Sequence, residues 1–160
     1  MAKLKSRVYD FTKRASALLS IKSLLKYIGP EFILPYYHLV SDTDPVHVKH
    51  LYKVKNVKQF KSDLDFLLKT FDFIHPDDFP NNIKAPKGKI PLLLTFDDGL
   101  SEFNDIIAPI LLDKGLSAIC FLNPSFIDNR DMFYRYKVSI LIEEILKADK
   151  RNDLKEYLHI

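Results

Sequence analysis

The 160-residue sequence predicts an α/β fold in which parallel strands alternate with helices. Residues 90–96 form a compact apolar run, bounded by a proline at its start and by Asp97-Asp98-Gly99 at its end, which is typical of a buried central strand. A helical apolar period follows over 103–111, and a second apolar run follows over 116–122. This order predicts a βαβ unit, whose two strands run parallel and are joined by a right-handed crossover.

The first 30 residues predict a basic amphipathic helix, which we treat as a unit separate from residues 31–160. Its apolar positions recur at steps of three and four, at Leu4, Val8, Phe11, Ala15, Leu18, Ile21, Leu25 and Ile28. Gly29-Pro30 ends the pattern. This unit carries seven Lys or Arg residues against one acidic residue, whereas residues 31–160 carry 17 basic and 20 acidic residues. The helix either packs on its own domain or, through residues 4–28, contacts a membrane surface or a partner.

Three further elements are expected before the central strand. Residues 32–38 read as a short strand that Pro35 weakens. Residues 57–71 have the apolar spacing of one helical face, with Asn56 as N-cap. A second short strand is expected over 71–74, and the proline-rich stretch that follows it predicts a surface loop.

The C-terminal third predicts more helix and limits the architecture. Pro109 predicts a kink in the helix that begins near residue 103, and Gly115 ends it. Amphipathic helices are expected over 134–147 and 153–158. About four strands amount to half a closed barrel or a small open sheet, since a complete (β/α) barrel typically needs about 250 residues.

Composition excludes several functional classes. A hydrophobic share of 47% and a charged share of 28% indicate a globular chain, and a net charge of +3 is too small to indicate a nucleic-acid partner. No stretch approaches 18 apolar residues and no clean signal peptide is present, so we expect a location in the cytoplasm or at the inner membrane surface. The single cysteine, Cys120, lies in an apolar run and reads as a buried, inert thiol.

The adjacent carboxylates Asp97 and Asp98 are the strongest indication of a site. Ligands of parallel α/β sheets bind beyond the carboxyl ends of the strands, where this pair lies. Two neighbouring carboxylates repel each other unless a divalent cation or a shared proton compensates, and Gly99 allows a sharp turn that brings both to one pocket. The alternative is a plain turn in which Asp98 caps the next helix.

These residues resemble a known family. Thr95-Phe96-Asp97-Asp98-Gly99 after an apolar strand is similar to the first motif of the polysaccharide deacetylases, the NodB-homology family of carbohydrate esterase family 4 type. Tyr37-His38-Leu39-Val40 resembles the YHxV strand found upstream in many members. The run over 118–122 resembles the ATFFL strand that follows, so that the similarity spans about residues 32–127.

The resemblance implies a distorted (β/α) barrel, of which this chain would be the N-terminal half. It also implies hydrolysis of the acetamide of N-acetylated sugars in a glycan, with a divalent metal, often zinc. By match to the motif, Asp97 would be the general base and Asp98 a metal ligand. The chemistry agrees, because a metal lowers the pKa of its bound water and a nearby carboxylate removes the proton.

The family's second motif, His-[Ser/Thr]-x-x-His, has no counterpart downstream of the acidic pair, where His159 is the only histidine. A zinc site needs three protein ligands, so we expect weak metal binding and a truncated or degenerate deacetylase. The alternative is a catalytically inactive half-domain that binds a carbohydrate or a partner. Half a barrel also leaves a sheet edge unpaired, which predicts self-association.

Other candidate residues keep two interpretations each. His38 ends a strand and either contacts the substrate or is a hydrogen-bonded histidine at the rim. His47 and His50 have H-x-x-H spacing but precede the acidic pair, so they form either a metal pair or part of a polar surface loop. An aromatic cluster after the last strand is either a sugar-stacking platform or core packing; it comprises Phe126, Phe133, Tyr134 and Tyr136.

Overall fold

The structure of the chain is a computed structural model that describes residues 21–81, 83 and 89–147. Its helices are α1 (Ile21–Ile28), α2 (Val46–Lys49), α3 (Val57–Thr70), α4 (Ala108–Asp113) and α5 (Tyr134–Lys147). Its strands are β1 (Tyr36–Tyr37), β2 (Asp72–Phe73), β3 (Pro91–Leu92), β4 (Leu94–Phe96) and β5 (Ala118–Cys120). A π-helical turn spans Phe103–Ile107, and 3₁₀ turns span Pro76–Asp78 and Pro124–Asn129.

All strand pairs are parallel, which confirms the α/β class. In the three-stranded sheet β4 lies between β1 and β5, and β2 pairs with β3 in a second, two-stranded sheet. The register aligns Tyr37 with Phe96 and Phe96 with Cys120, so β1, β4 and β5 end together. The predicted βαβ unit is therefore present, and its carboxyl edge is where Asp97 and Asp98 follow β4.

The strands are shorter than the sequence predicts, and prolines account for part of the difference. Pro35 has no N–H, so the expected strand over 32–38 reduces to β1 and an isolated bridge between Ile33 and Leu92. The Pro35 carbonyl still accepts a hydrogen bond from the Thr95 backbone N–H at 3.0 Å. The predicted strand over 90–96 is divided into β3 and β4 at Leu93.

The main core lies between the sheets and the helices. Its buried members are Val40, Phe60, Leu64, Phe71, Leu92, Leu94, Phe96, Ile107 and Leu111. Helix α3 begins, as predicted, at Asn56, whose side chain accepts from the Gln59 N–H while the Gln59 side chain accepts from the Asn56 N–H. Pro109 lies in the first turn of α4, directly after the π-helical turn, which confirms the predicted irregularity in this helix.

A second, smaller core joins α2 to α5. It contains Leu39, Val48, Val54 and Tyr136. The expectation of a polar surface loop around His47 is wrong, because residues 46–49 form a helix whose Val48 is fully buried. The apolar spacing there is too short to stand out in sequence, and the contact with α5 stabilises the helix.

The predicted terminal helices are described only in part. Helix α1 covers the end of the expected helix over 4–28, and Leu25 packs against the main core, whereas Tyr27 is 91% exposed. Residues 4–20 of that prediction, and the short helix expected over 153–158, lie outside the described residues. Among the described helices, none has the length and apolar character needed to cross a membrane.

Candidate functional site

Asp98 occupies a turn that only a few residue types accept. Its φ is +73° and that of Gly99 is +65°, so two successive residues have left-handed backbone immediately after β4. Aspartate tolerates this region better than most residues, and glycine occupies it freely. A Cβ on Gly99 would also lie 2.4 Å from Cδ2 of Leu122, so the Leu122 side chain, which is 61% exposed, would have to move.

The Asp98 carboxylate is held by a tyrosine from a distant helix. The hydroxyl of Tyr136, in α5, donates to Oδ2 of Asp98 at 2.5 Å. Nε2 of His38, which follows β1, lies 3.9 Å from the same oxygen. The side chain of Asp98 remains 24% exposed and that of His38 35%, so both groups are open to a ligand from solvent.

Two tyrosine hydroxyls near Asp98 are kept protonated. Burial raises the pKa of Tyr136, and the hydrogen bond to Asp98 raises it further. Burial and then the charge of Asp98 raise the pKa of Tyr52 to about 12, although a hydrogen bond with Tyr136 acts in the opposite direction. Asp98 is therefore surrounded by neutral hydroxyl groups at physiological pH.

Asp98 opens on a cavity of about 910 Å³, which we call the tyrosine cavity. Aromatic side chains form much of its wall, including Tyr36, His38, Tyr52, Tyr134 and Tyr136. Tyr36 is 67% exposed and Tyr134 is 61% exposed, so both present ring surface to a ligand. Apolar walls with a few converging polar groups are typical of sites for small molecules.

A smaller cavity of about 290 Å³ lies on the other side of Asp98. Gly99, Glu102 and Tyr136 are among its lining residues, together with His47. The His47 ring meets the edge of Tyr136 at 5.4 Å between centroids, and its Nε2 is buried without a hydrogen-bond partner among the described residues.

Asp97 has different surroundings from Asp98. Its backbone N–H donates to the Tyr37 carbonyl at 3.0 Å and so extends the pairing of β1 with β4. Its carboxylate is partly exposed, has no hydrogen bond or ion pair within the described part of the chain, and is not among the residues lining either cavity beside Asp98. The sequence predicts both carboxylates at one pocket. Of the two, only Asp98 is among the residues that line these two cavities.

Some of the remaining candidate residues lie at the cavities beside Asp98, and others pack or pair elsewhere in the fold. His50 binds Glu143 through Nε2 at 2.8 Å, so it and His47 have different neighbours despite their spacing. Within the aromatic cluster, Tyr136 is buried and Tyr134 lines the tyrosine cavity. Cys120 is partly buried, and burial together with the two aspartates raises the pKa of its thiol, as expected of an inert cysteine.

Tyr52 and Tyr136 were not identified as neighbours of Asp98 from the sequence. They are 46 and 38 residues away from it along the chain, and no local pattern links either residue to the acidic pair. His38 is different, because adjacent parallel strands that end together place the residues that follow them side by side.

The described residues do not by themselves fit a zinc ion. A catalytic zinc site uses three protein ligands and one open position. Asp98 and His38 are two adjacent candidates, and within residues 21–81, 83 and 89–147 no group of three His, Cys, Asp or Glu side chains is arranged to hold a metal.

Comparisons with known proteins address the fold. No protein-family model matches this chain, and no curated protein matches it either. Among solved structures, the chain is similar to the Streptococcus pyogenes deacetylase PplD in complex with acetate, with a TM-score of 0.50 and 21% sequence identity over 62% of this chain and 45% of PplD. A de-N-acetylase from Aggregatibacter actinomycetemcomitans gives a TM-score of 0.47 and 20% identity over 61% of this chain and 39% of that protein.

The chain spans less than half the length of both of these structures. At about one-fifth identity, the likeness to PplD concerns the fold alone. It covers 62% of the present chain. The chain therefore has a polysaccharide-deacetylase-like fold over that part of its length.

Proposed function

We propose that this chain belongs to a hydrolase that removes acetyl groups from N-acetylated sugars of a glycan, with the tyrosine cavity as substrate site. One observation carries the proposal: Asp98 follows the central parallel strand and opens directly on an aromatic cavity of about 910 Å³. That volume accommodates more than one sugar unit, and the position is where parallel sheets bind their ligands. The deacetylase-like fold supports the same assignment.

In this proposal the two aspartates have separate tasks. Asp97 does not line the cavity but directly precedes Asp98, and its carboxylate has no partner among the described residues. It removes a proton from water as the water oxygen attacks the acetamide carbon of a sugar that extends from the cavity past Asp98. The carbon–nitrogen bond then breaks as the leaving nitrogen takes up the proton that Asp97 had removed from water, which releases acetate and a free amine and restores the Asp97 carboxylate. His38 forms a hydrogen bond with the bound sugar at the edge of the cavity, whereas Asp98 would hold the divalent cation.

The metal dependence of the reaction is also part of the proposal. Asp98 would be one ligand of a divalent cation, most simply zinc, and further ligands would have to join it because the described residues supply only His38 nearby. We likewise propose that the present sheet is the N-terminal half of a distorted (β/α) barrel.

A second candidate function is a glycan-binding module without catalytic activity. The described residues include no set of three metal ligands, and an aromatic cavity with one carboxylate can bind a sugar without hydrolysing it. The two candidate functions differ in whether acetate is released from the bound glycan.

The test combines binding and hydrolysis of chitotetraose, a neutral oligomer of N-acetylglucosamine. Binding is followed by calorimetry, and acetate is measured with and without added Zn²⁺. We expect Asp97→Asn to bind normally and to release acetate at least about 100-fold more slowly, because a general base contributes factors of that size. Asp98→Asn should weaken binding as well.

Asp77→Asn is the matched control, because its side chain is 91% exposed and lies outside the tyrosine cavity. Binding without acetate release by the unmodified chain would favour the binding module over the hydrolase. Absence of binding would contradict both candidates, and equal behaviour of Asp98→Asn and Asp77→Asn would contradict the site.

A further inference from the structure

Positively charged side chains outnumber carboxylates in the wall of the tyrosine cavity. Asp98 is the one carboxylate among its lining residues, whereas three Lys or Arg side chains, Lys53, Lys55 and Arg135, line it besides two histidines. The carboxylate is already bound by the Tyr136 hydroxyl and faces His38. Whether these three cations are already paired within the protein decides whether the cavity can offer positive charge to a ligand.

Lys55 is already paired within the protein. Its ammonium group binds the Asp63 carboxylate and lies 5.6 Å from the centre of the Tyr37 ring. Asp63 also accepts from the Tyr37 hydroxyl at 3.0 Å. This cation therefore belongs to the wall of the cavity and is not free to bind a ligand.

Lys53 and Arg135 are not neutralised in this way. Lys53 is exposed and makes no ion pair or hydrogen bond within the part of the chain that the structure describes. Arg135 donates to the Tyr134 hydroxyl through Nε at 3.1 Å and lies over that ring, so its two terminal nitrogens remain available. Lys53 follows α2 and Arg135 is the second residue of α5, so the two charges come from different parts of the wall.

We propose that the tyrosine cavity selects glycans that carry an oxyanion, a carboxylate or a phosphate, close to the N-acetylated sugar. This inference rests on the proposed function of the same cavity. The guanidinium of Arg135 presents a planar pair of donors that matches either oxyanion, and Lys53 adds a second positive charge. Tyr134, which orients Arg135, at the same time offers its ring to the sugar.

The experiment compares ligands that differ in charge. A hyaluronan tetrasaccharide, which alternates N-acetylglucosamine with a carboxylated sugar, is titrated against chitotetraose of the same length. N-acetylglucosamine 1-phosphate against N-acetylglucosamine distinguishes phosphate from carboxylate. We expect at least one charged ligand to bind more tightly than its neutral partner, with an advantage that shrinks as salt is raised, because exposed charges are screened.

Two variants test whether Lys53 and Arg135 bind the charged group of the ligand. Lys53→Gln and Arg135→Gln should each reduce affinity for the favoured charged ligand about two- to fivefold, as expected for exposed ion pairs, and leave the neutral partner unchanged. Lys58→Gln is the control, since Lys58 is also exposed and unpaired among the described residues but lines a different cavity. It should change nothing.

The outcomes separate this inference from the proposed function. Equal binding of both charged ligands and their neutral partners overturns the inference and leaves the deacetylase proposal intact. A charge preference that survives both substitutions also overturns it, because the charge would then come from elsewhere in the chain. Failure of all four ligands to bind overturns both proposals.

Discussion

The hydrogen bond between Tyr136 and Asp98 links two side chains that serve both stability and the site. The phenol is 5% exposed and donates at 2.5 Å, whereas the acceptor carboxylate still reaches solvent. Hydrogen bonds to charged groups stabilise folded proteins more than neutral ones do. The carboxylate can therefore keep one fixed orientation toward the tyrosine cavity while it is free to accept from a ligand.

Removing this hydroxyl should destabilise the protein. We expect Tyr136→Phe to lower the free energy of unfolding by about 1 to 2 kcal/mol at pH 8, because the bond to a charged acceptor is lost while water can still reach Asp98. Urea unfolding followed by circular dichroism measures the change. Tyr134→Phe, which removes an exposed hydroxyl, should have a much smaller effect, and equal effects of the two variants would contradict the role given to Tyr136.

The same substitution should alter stability at alkaline pH. In the folded protein the pKa of Tyr136 is raised and that of Tyr52 is raised to about 12, whereas an unfolded tyrosine ionises near 10. The folded state thus holds protons that the unfolded state releases, so the free energy of unfolding falls as pH rises above 10. In urea titrations at pH 9, 10 and 11, the fall should be shallower for Tyr136→Phe than for the unmodified chain.

Residues of the site differ in how far the sequence predicts them. Asp98 and His38 could be predicted as neighbours, because β1 and β4 are adjacent, parallel and end in register. Tyr136 could not, because its position depends on how α5 docks. Asp97 shows the opposite limit: the sequence identifies the carboxylate but does not show that Asp98 lines the tyrosine cavity and Asp97 does not.

Among the helices, the docking of α5 on α2 places Tyr136 at the site, and polar contacts accompany the apolar ones. Ser139 is fully buried; its hydroxyl donates to the Val46 carbonyl at 2.6 Å and accepts from the His50 N–H at 3.2 Å. Glu143, one turn further along α5, binds both Lys49 and His50. A four-residue helix such as α2 is too short to be stable alone, so these contacts account for its presence.

Ser139→Ala should therefore weaken this docking. The change removes both hydrogen bonds and leaves two backbone groups of the α2 region without that partner, so we expect a loss of about 1 to 3 kcal/mol in unfolding free energy. Urea unfolding checks the loss, with Ser62→Ala as control, because Ser62 is an exposed serine of α3. A variant as stable as the control would show that the apolar contacts of Val48 and Tyr136 suffice.

The bounds of an element could be predicted closely where its own residues carry the cap and the apolar pattern. They could not be predicted where the element is stabilised by contacts with a distant helix. The helix from Asn56 carries its cap and its apolar face within one stretch, and its observed bounds agree with the prediction to one residue. Helix α2 has one buried residue, Val48, and no pattern that would distinguish it from a loop. Short strands lie between these cases, because an apolar run indicates a strand without fixing which of its residues pair.

At the scale of the whole molecule, the described sheet has an open side. Strand β5 pairs with β4, and no other strand within the described residues pairs with it. Phe121 and Leu122, directly after β5, are 56% and 61% exposed. An unpaired strand bordered by exposed apolar side chains can accept another strand, so the predicted self-association has a specific place on the molecule.

Phe121→Lys tests whether the chain self-associates through the unpaired edge of β5, because a charge beside such an edge opposes the approach of a second chain. We expect the unmodified chain to show a concentration-dependent sedimentation coefficient, and Phe121→Lys to sediment as a monomer over the same range. Leu112→Lys is the matched control: it replaces a 77% exposed leucine of α4 with the same charge but lies away from β5, so it should still associate. If both lysine variants abolish association, the contact depends on general surface hydrophobicity, and if the unmodified chain is monomeric throughout, the predicted self-association is wrong.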